Sequence, residues 1–183
     1  RNDHREAVGQ IQRPIASITK LMSALVILEK NPLWDVKVSV VPDDIIDTHM
    51  YAGDTYSIQE LWDAALVGSS NKAILTLADA VGWPRDAFLE RMNQKAVELG
   101  MEQTNFTDAT GLDEGNLSTA SDSILLLREA LQHPGIAGAL QKKEHTVYSQ
   151  ERRKSHHMWN TNWLLLGWIP HQFPKLIGGK TGY

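Results

Sequence analysis

The chain has 183 residues, 42% of them hydrophobic, and 18 Lys and Arg against 22 Asp and Glu leave a net charge of −4. That length suits one compact core and argues against several domains, while the charge gives no reason to expect a nucleic-acid partner. Zero cysteines exclude a disulfide framework and a thiol nucleophile, and no stretch is long and apolar enough to span a bilayer.

The opening Arg1-Asn2-Asp3-His4-Arg5-Glu6 is charged and is no signal peptide. A short strand is expected around Ala7 to Gln12. After Pro14, the run Leu21, Met22, Ala24, Leu25, Val26, Ile27 and Leu28 is apolar on nearly every face, which predicts a helix buried in a core, with Ser17 at or near its start. Val36 to Val40 alternates as a short strand should. Ser57-Ile58-Gln59-Glu60 is a capping box opening a helix with Leu61, Trp62, Ala65 and Leu66. Ser69-Ser70-Asn71 reads as a polar turn at the head of a helix through Ala73, Ile74, Leu75 and Leu77.

Asp86 to Leu99 is amphipathic and ends at Gly100, a C-cap signal. Ser118 or Ser121 is expected to cap a helix carrying Ile124, Leu125, Leu127, Ala130 and Leu131 that stops before Pro134. Gln141 to Lys154 is rich in charge and reads as a solvated surface segment. His156 and His157 are adjacent and lack a carboxylate at ligand spacing, so no metal is expected. Trp159, Trp163 and Trp168 read as core or cleft wall. Residues 175–183, with Leu176, Ile177, Gly178 and Gly179, suit an edge strand, which is marginal without a partner to pair with.

Three short strings in this order carry chemistry: Ser17-Ile18-Thr19-Lys20, Ser69-Ser70-Asn71 and Lys180-Thr181-Gly182. Residues three apart on a helix share a face, so Lys20 reaches Ser17, and a helix N-terminus favours the negative charge of an attacking oxygen. Taken alone, that string is also what an N-cap serine with an incidental lysine looks like. Ser69 and Lys72 have the same spacing, but the buried-helix context belongs to Ser17. A lysine acting as base must be neutral part of the time, which burial and a second cation, Lys180, would favour. Ser69 would bridge the two lysines and relay a proton, and Asn71 would hold the amide of an acyl donor. Lys180, Thr181 and Gly182 on one strand suit a substrate carboxylate beside an extended peptide, and the backbone N–H groups of Ser17 and Tyr183 are the expected oxyanion donors. The chemistry is serine acyl transfer with lysine in the place of histidine.

The set resembles that of the penicillin-recognising serine acyltransferases. Pro14-Ile15-Ala16-Ser17-Ile18-Thr19-Lys20-Leu21-Met22, Lys95-Ala96-Val97-Glu98-Leu99-Gly100-Met101, the stretch from Thr110-Gly111-Leu112-Asp113 to Ser121-Asp122, and Asn160-Thr161-Asn162-Trp163-Leu164-Leu165 narrow the resemblance to the low-molecular-mass penicillin-binding proteins, the D-alanyl-D-alanine carboxypeptidases and endopeptidases. It runs from about Pro14 to the last residue. The resemblance implies an α/β (α+β) transpeptidase fold of the penicillin-binding-protein and beta-lactamase type, here mostly its helical part with an incomplete antiparallel sheet. It implies one catalytic domain over residues 1–183, truncated at both ends, since relatives carry further strands before the Ser-x-x-Lys helix and after Lys-Thr-Gly. The implied activity is a serine DD-peptidase of the bacterial periplasm acting on peptidoglycan stem peptides and inhibited by beta-lactams. No cofactor or metal belongs to that chemistry, and any peripheral membrane attachment would lie outside this chain. Carried over by position, Ser17 is nucleophile, Lys20 base, Ser69 relay, Asn71 the amide holder, and Lys180 with Thr181 the carboxylate site. An endopeptidase, a non-hydrolytic penicillin sensor and a relic structural domain are the other readings; a class A beta-lactamase is disfavoured because no Glu-x-x-Leu-Asn string occurs.

Overall fold

The computed structural model describes residues 9–182. Helix α1 (Thr19–Leu28) is the hub, with every residue from Thr19 to Ile27 buried. A 3-10 turn (Ala16–Ile18) leads into it, so Ser17 sits just ahead of the buried helix, as its context predicted. Burying a Leu, Ile or Val side chain is worth about 1.5–3 kcal/mol, so α1 is held on all sides by its neighbours, and its first turn is as fixed as its middle. Those neighbours are α2 (Ile58–Leu66), α3 (Asn71–Ala80), α4 (Arg85–Glu98) and α5 (Ala120–Gln132), with α6 (Pro134–Gln141) packed on α2 and α5.

Three two-stranded antiparallel ladders and one isolated antiparallel bridge, Asn105 to Leu117, make with the helices an α+β architecture. β1 (Arg13–Pro14) pairs with β4 (Leu117–Ser118). β2 (Lys37–Ser39) pairs with β3 (Thr55–Ser57), and β5 (Glu144–Ser149) with β6 (Lys154–Trp159). A last short helix, α7, covers Trp163–Leu166. The Ser57 capping box is closed in both directions: Glu60 N–H donates to Ser57 Oγ at 3.1 Å, and Ser57 N–H to Glu60 Oε2 at 2.8 Å. Helix α4 begins one residue before the expected start, and Gly100 follows its end at φ +74°.

Five expectations need correction. The first strand among the described residues lies at Arg13–Pro14, where Leu117–Ser118 supplies a partner; of the stretch expected from Ala7 to Gln12, Gly9 to Gln12 carry no strand, and Ala7 and Val8 lie outside the described residues. Thr119 caps α5, accepting from Asp122 N–H, because Ser118 Oγ is bonded to Thr104 and Ser121 Oγ to the Gly9 carbonyl. The charged stretch from Gln141 to Lys154 is largely a hairpin: charge occupies its outer face while Val147, Ser149, His156 and Met158 turn inward. His156 and His157 therefore face opposite sides of β6, the first buried beside Tyr51, the second exposed. The three tryptophans stack on one another, with centroids 5.7 and 6.3 Å apart, but each stays about half exposed. Finally, residues 175–182 run without a strand, since no ladder partner faces them among the described residues.

Candidate active site

All three strings meet at the first turn of α1. Lys20 is fully buried, and its ammonium donates to Ser17 Oγ at 3.0 Å, Asn71 Oδ1 at 2.7 Å and the Thr110 carbonyl at 2.7 Å. Those three bonds use every donor of the group. Burial pushes its pKa down to about 8, against the smaller opposing effects of the Asp108 and Asp47 carboxylates. Lys180 donates to Ser69 Oγ at 2.9 Å and to the Thr181 carbonyl at 3.0 Å. Its pKa falls further, to about 7, through burial and the charge of Lys20.

The two lysines thus face each other across Ser17 and Ser69. Ser69 bonds to Lys180 only; the expected bridge to both lysines is one-sided because Lys20 has spent its donors elsewhere. Asn71 is doubly engaged, its carbonyl by Lys20 and its NH2 by the Ile46 carbonyl at 2.7 Å, which leaves one N–H to offer. The equal spacing of Ser69 and Lys72 brings them to no contact: Lys72 sits in the first turn of α3 and Ser69 in the loop before it, bonded to Lys180 and not to Lys72.

Backbone geometry marks the same spot. Ala16 and Ser69 hold φ of +45° and +61°, two of the four non-glycine residues in that region among those described. Such conformations cost of order 1–3 kcal/mol and persist where surrounding contacts hold them. Ala16 is held by two glycines: a Cβ on Gly111, itself at φ +91°, would lie 1.9 Å from the Ala16 carbonyl oxygen, and one on Gly182 would lie 2.5 Å from that of Ile15. Both glycine segments approach the backbone ahead of Ser17 as closely as only glycine permits. The Ser17 N–H lies in the first turn of a 3-10 helix, where backbone donors have no partner within the helix. Tyr183, the second expected oxyanion donor, lies outside the described residues. A cleft of about 440 Å³ opens along Ala16 and Ile18, walled by Gly111, Leu112, Glu114 and Gly182.

The rest of the frame was not legible as function. Asp108 accepts from Thr110 N–H and Gly111 N–H, and Asn116 ties the same loop to Thr19, so the loop presents the Thr110 carbonyl to Lys20. Ser23, one turn along α1, donates to the Ala109 carbonyl at 2.7 Å. Thr181 Oγ1 donates to Thr161 Oγ1 at 2.6 Å, and Thr161 N–H bonds back to the Val67 carbonyl, which couples the Lys-Thr-Gly segment to the Ser69 loop. The only signal for these residues is that most sit inside the strings quoted for the resemblance. Asp47 had no signal at all.

A profile of the D-alanyl-D-alanine carboxypeptidases matches residues 6–183. The D-alanyl-D-alanine endopeptidase of Haemophilus influenzae is 35% identical over 176 residues, covering 93% of this chain and 58% of the relative. The chain spans about half the length of the curated relatives it matches. A crystal structure of D-alanyl-D-alanine carboxypeptidase from Mycobacterium tuberculosis superposes with a TM-score of 0.80 at 29% identity, over 96% of this chain and 66% of that one. A penicillin-binding protein of Listeria monocytogenes in its ampicillin-bound form gives 0.74 at 32% identity, over 94% and 70%. With a fold shared with both of these structures and a profile match over nearly its whole length, the chain belongs to the D-alanyl-D-alanine carboxypeptidase family.

Proposed function

We propose that the chain is the catalytic part of a serine DD-peptidase that cleaves the D-Ala-D-Ala bond of peptidoglycan stem peptides, outside the cytoplasmic membrane of a bacterium. The observation that carries this reading is the 3.0 Å contact between Ser17 Oγ and the amine of a fully buried Lys20, with a second lysine on Ser69. Neutral Lys20 takes the Ser17 hydroxyl proton as Oγ attacks the carbonyl carbon of the penultimate D-alanine. The Ser17 N–H faces the developing oxyanion, with Tyr183 N–H as its expected partner. The amine of the departing D-alanine takes a proton through Ser69. Water then attacks the acyl-enzyme ester: its hydroxyl joins the acyl carbon and releases the shortened peptide, while its proton passes through Lys20 to Ser17 Oγ and restores the serine hydroxyl, leaving both lysines as they began.

Lys180 and Thr181 suit the terminal carboxylate, a cation beside a hydroxyl on one segment. Asn71 supports the peptide amide with its remaining N–H. A beta-lactam would acylate the same Ser17 and remain attached, because its leaving amine stays tethered to the acyl group. The assay is turnover of a D-Ala-D-Ala peptide by the full-length protein: release of D-alanine, abolished in Ser17→Ala, supports the reading. A stable penicillin adduct with no peptide turnover would instead assign a sensor, and no adduct on folded protein would overturn acyl transfer altogether. A second reading, cleavage of crosslinked peptides, is favoured by three relatives named D-alanyl-D-alanine endopeptidase, at 34–35% identity. Digestion of crosslinked against uncrosslinked muropeptides separates the two.

A further inference from the structure

We propose that Asp47, from the irregular segment between β2 and β3, is the positioning residue that sets the Ser69–Asn71 segment against Lys20; the proposal rests on the serine-peptidase reading above. One oxygen of its carboxylate accepts from Ser70 Oγ at 2.6 Å and from Lys72 N–H at 2.8 Å. The other accepts from His49 N–H at 2.8 Å and Met50 N–H at 2.9 Å, which fixes Asp47's own loop. Ser70 and Lys72 are the two residues flanking Asn71. The neighbour of Asp47 completes the grip, since the Ile46 carbonyl takes the Asn71 NH2 and so turns its carbonyl toward Lys20.

A helix cap does not account for this arrangement. Helix α3 already has a cap in Ser70, whose Oγ accepts from Ala73 N–H at 3.0 Å. Asp47 reaches that buried hydroxyl from 23 residues upstream and adds a carboxylate to the same helix end, where negative charge is favoured. What it holds is the strained part of the site. Ser69 sits at φ +61°, and the residues on either side of it are pinned from outside the loop. Ser70 is pinned by Asp47, and Gly68 lies so close to β6 that a Cβ there would be 2.5 Å from Met158 Sδ. Release of Asp47 would free one side of that pair.

Asp47 also acts through charge, because its carboxylate is one of two that favour the protonated form of Lys20. The groups that face this centre are His49 on the same segment, His156 on β6 behind it, Lys72 on α3, Asp108 on the loop after α4, and Lys180. Removing Asp47 therefore lowers the Lys20 pKa, and the limb on which acylation rises with pH moves to lower pH.

The test compares Asp47→Ala, Asp47→Asn and Ser70→Ala with the parent in the full-length protein, reading the acylation rate by a labelled penicillin per titrated active site, from pH 5.5 to 9. Asp47→Ala is expected to acylate at least tenfold more slowly, and Asp47→Asn, which keeps an acceptor for Lys72 N–H, less so. Both should shift the rising limb toward acid. Ser70→Ala, which removes a contact but no charge, should slow acylation with the limb unmoved. A residue that merely stabilised the helix would lower the melting temperature and the titratable fraction, and leave the rate per active site and the limb as in the parent. That result in either Asp47 variant overturns the proposal. If the parent itself forms no adduct, the serine-peptidase reading fails first and the proposal with it.

Discussion

Replacing Lys20 by Arg keeps a cation and its donors but removes the ability to release a proton near neutral pH, and so tests whether Lys20 is the base. With its pKa lowered from 10.5 to about 8 by burial, about one Lys20 in eleven is neutral at pH 7. An unperturbed lysine would be neutral about once in three thousand molecules, so burial supplies a factor of about 300, or about 3.4 kcal/mol. The sign of the pH dependence follows. Below about pH 8 the neutral fraction falls about tenfold per unit, and acylation falls with it. Lys180, at about 7, loses its cation as pH rises, which weakens the hold on a carboxylate-bearing ligand. The pair therefore gives a bell with limbs near 7 and 8 that belong to both lysines together. Stopped-flow acylation by a chromogenic beta-lactam, normalised to folded protein, reads this directly. Lys20→Arg should lose roughly 10²–10⁴-fold. Acylation within tenfold of the parent, or a rate flat from pH 6 to 9, would refute the assignment of Lys20 as base.

Lys180→Ala should erase discrimination between a peptide ending in D-Ala-D-Ala carboxylate and its carboxamide, a preference expected to be at least about tenfold in the parent; kcat/KM for the two peptides decides it. Gly111→Ala places a Cβ 1.9 Å from the Ala16 carbonyl oxygen on a backbone at φ +91°, and should cost at least about 2 kcal/mol of stability and slow acylation, as read by denaturant unfolding and adduct formation. Ser57→Ala breaks the capping box of α2 far from the chemistry and should cost about 1 kcal/mol, or about 2–4 °C in Tm, with the acylation rate per active site unchanged.

The helices and the placement of Ser17 at the head of the buried one were legible because their signals are local. The apolar run after Ser17, the reciprocal Ser57 and Glu60 pattern and the glycine after Leu99 each state an element in a few residues. The hairpin from Glu144 to Trp159 was hidden because its charged outer face dominates the composition, while the residues that bury it, Val147, His156 and Met158, are few and mixed in chemistry. The strand expected at residues 175–183 is not formed over its described part, 175–182, for a different reason: a strand is a property of two segments, and its own sequence carries no information about the second. Within the site, the roles proposed for Lys20 and Lys180 rest on chemistry and motif. Asp47, Asp108 and Thr161 did not, since each acts through a bond to a segment 20 or more residues away or through a backbone carbonyl that every residue possesses.

Intact-mass analysis after incubation with a penicillin asks whether Ser17 is the acylated nucleophile. A single adduct of the mass of the whole beta-lactam is expected, mapped by peptide fragmentation to Ser17, persisting well beyond seconds and absent in Ser17→Ala. An adduct on another residue, or none on correctly folded full-length protein, would contradict that assignment.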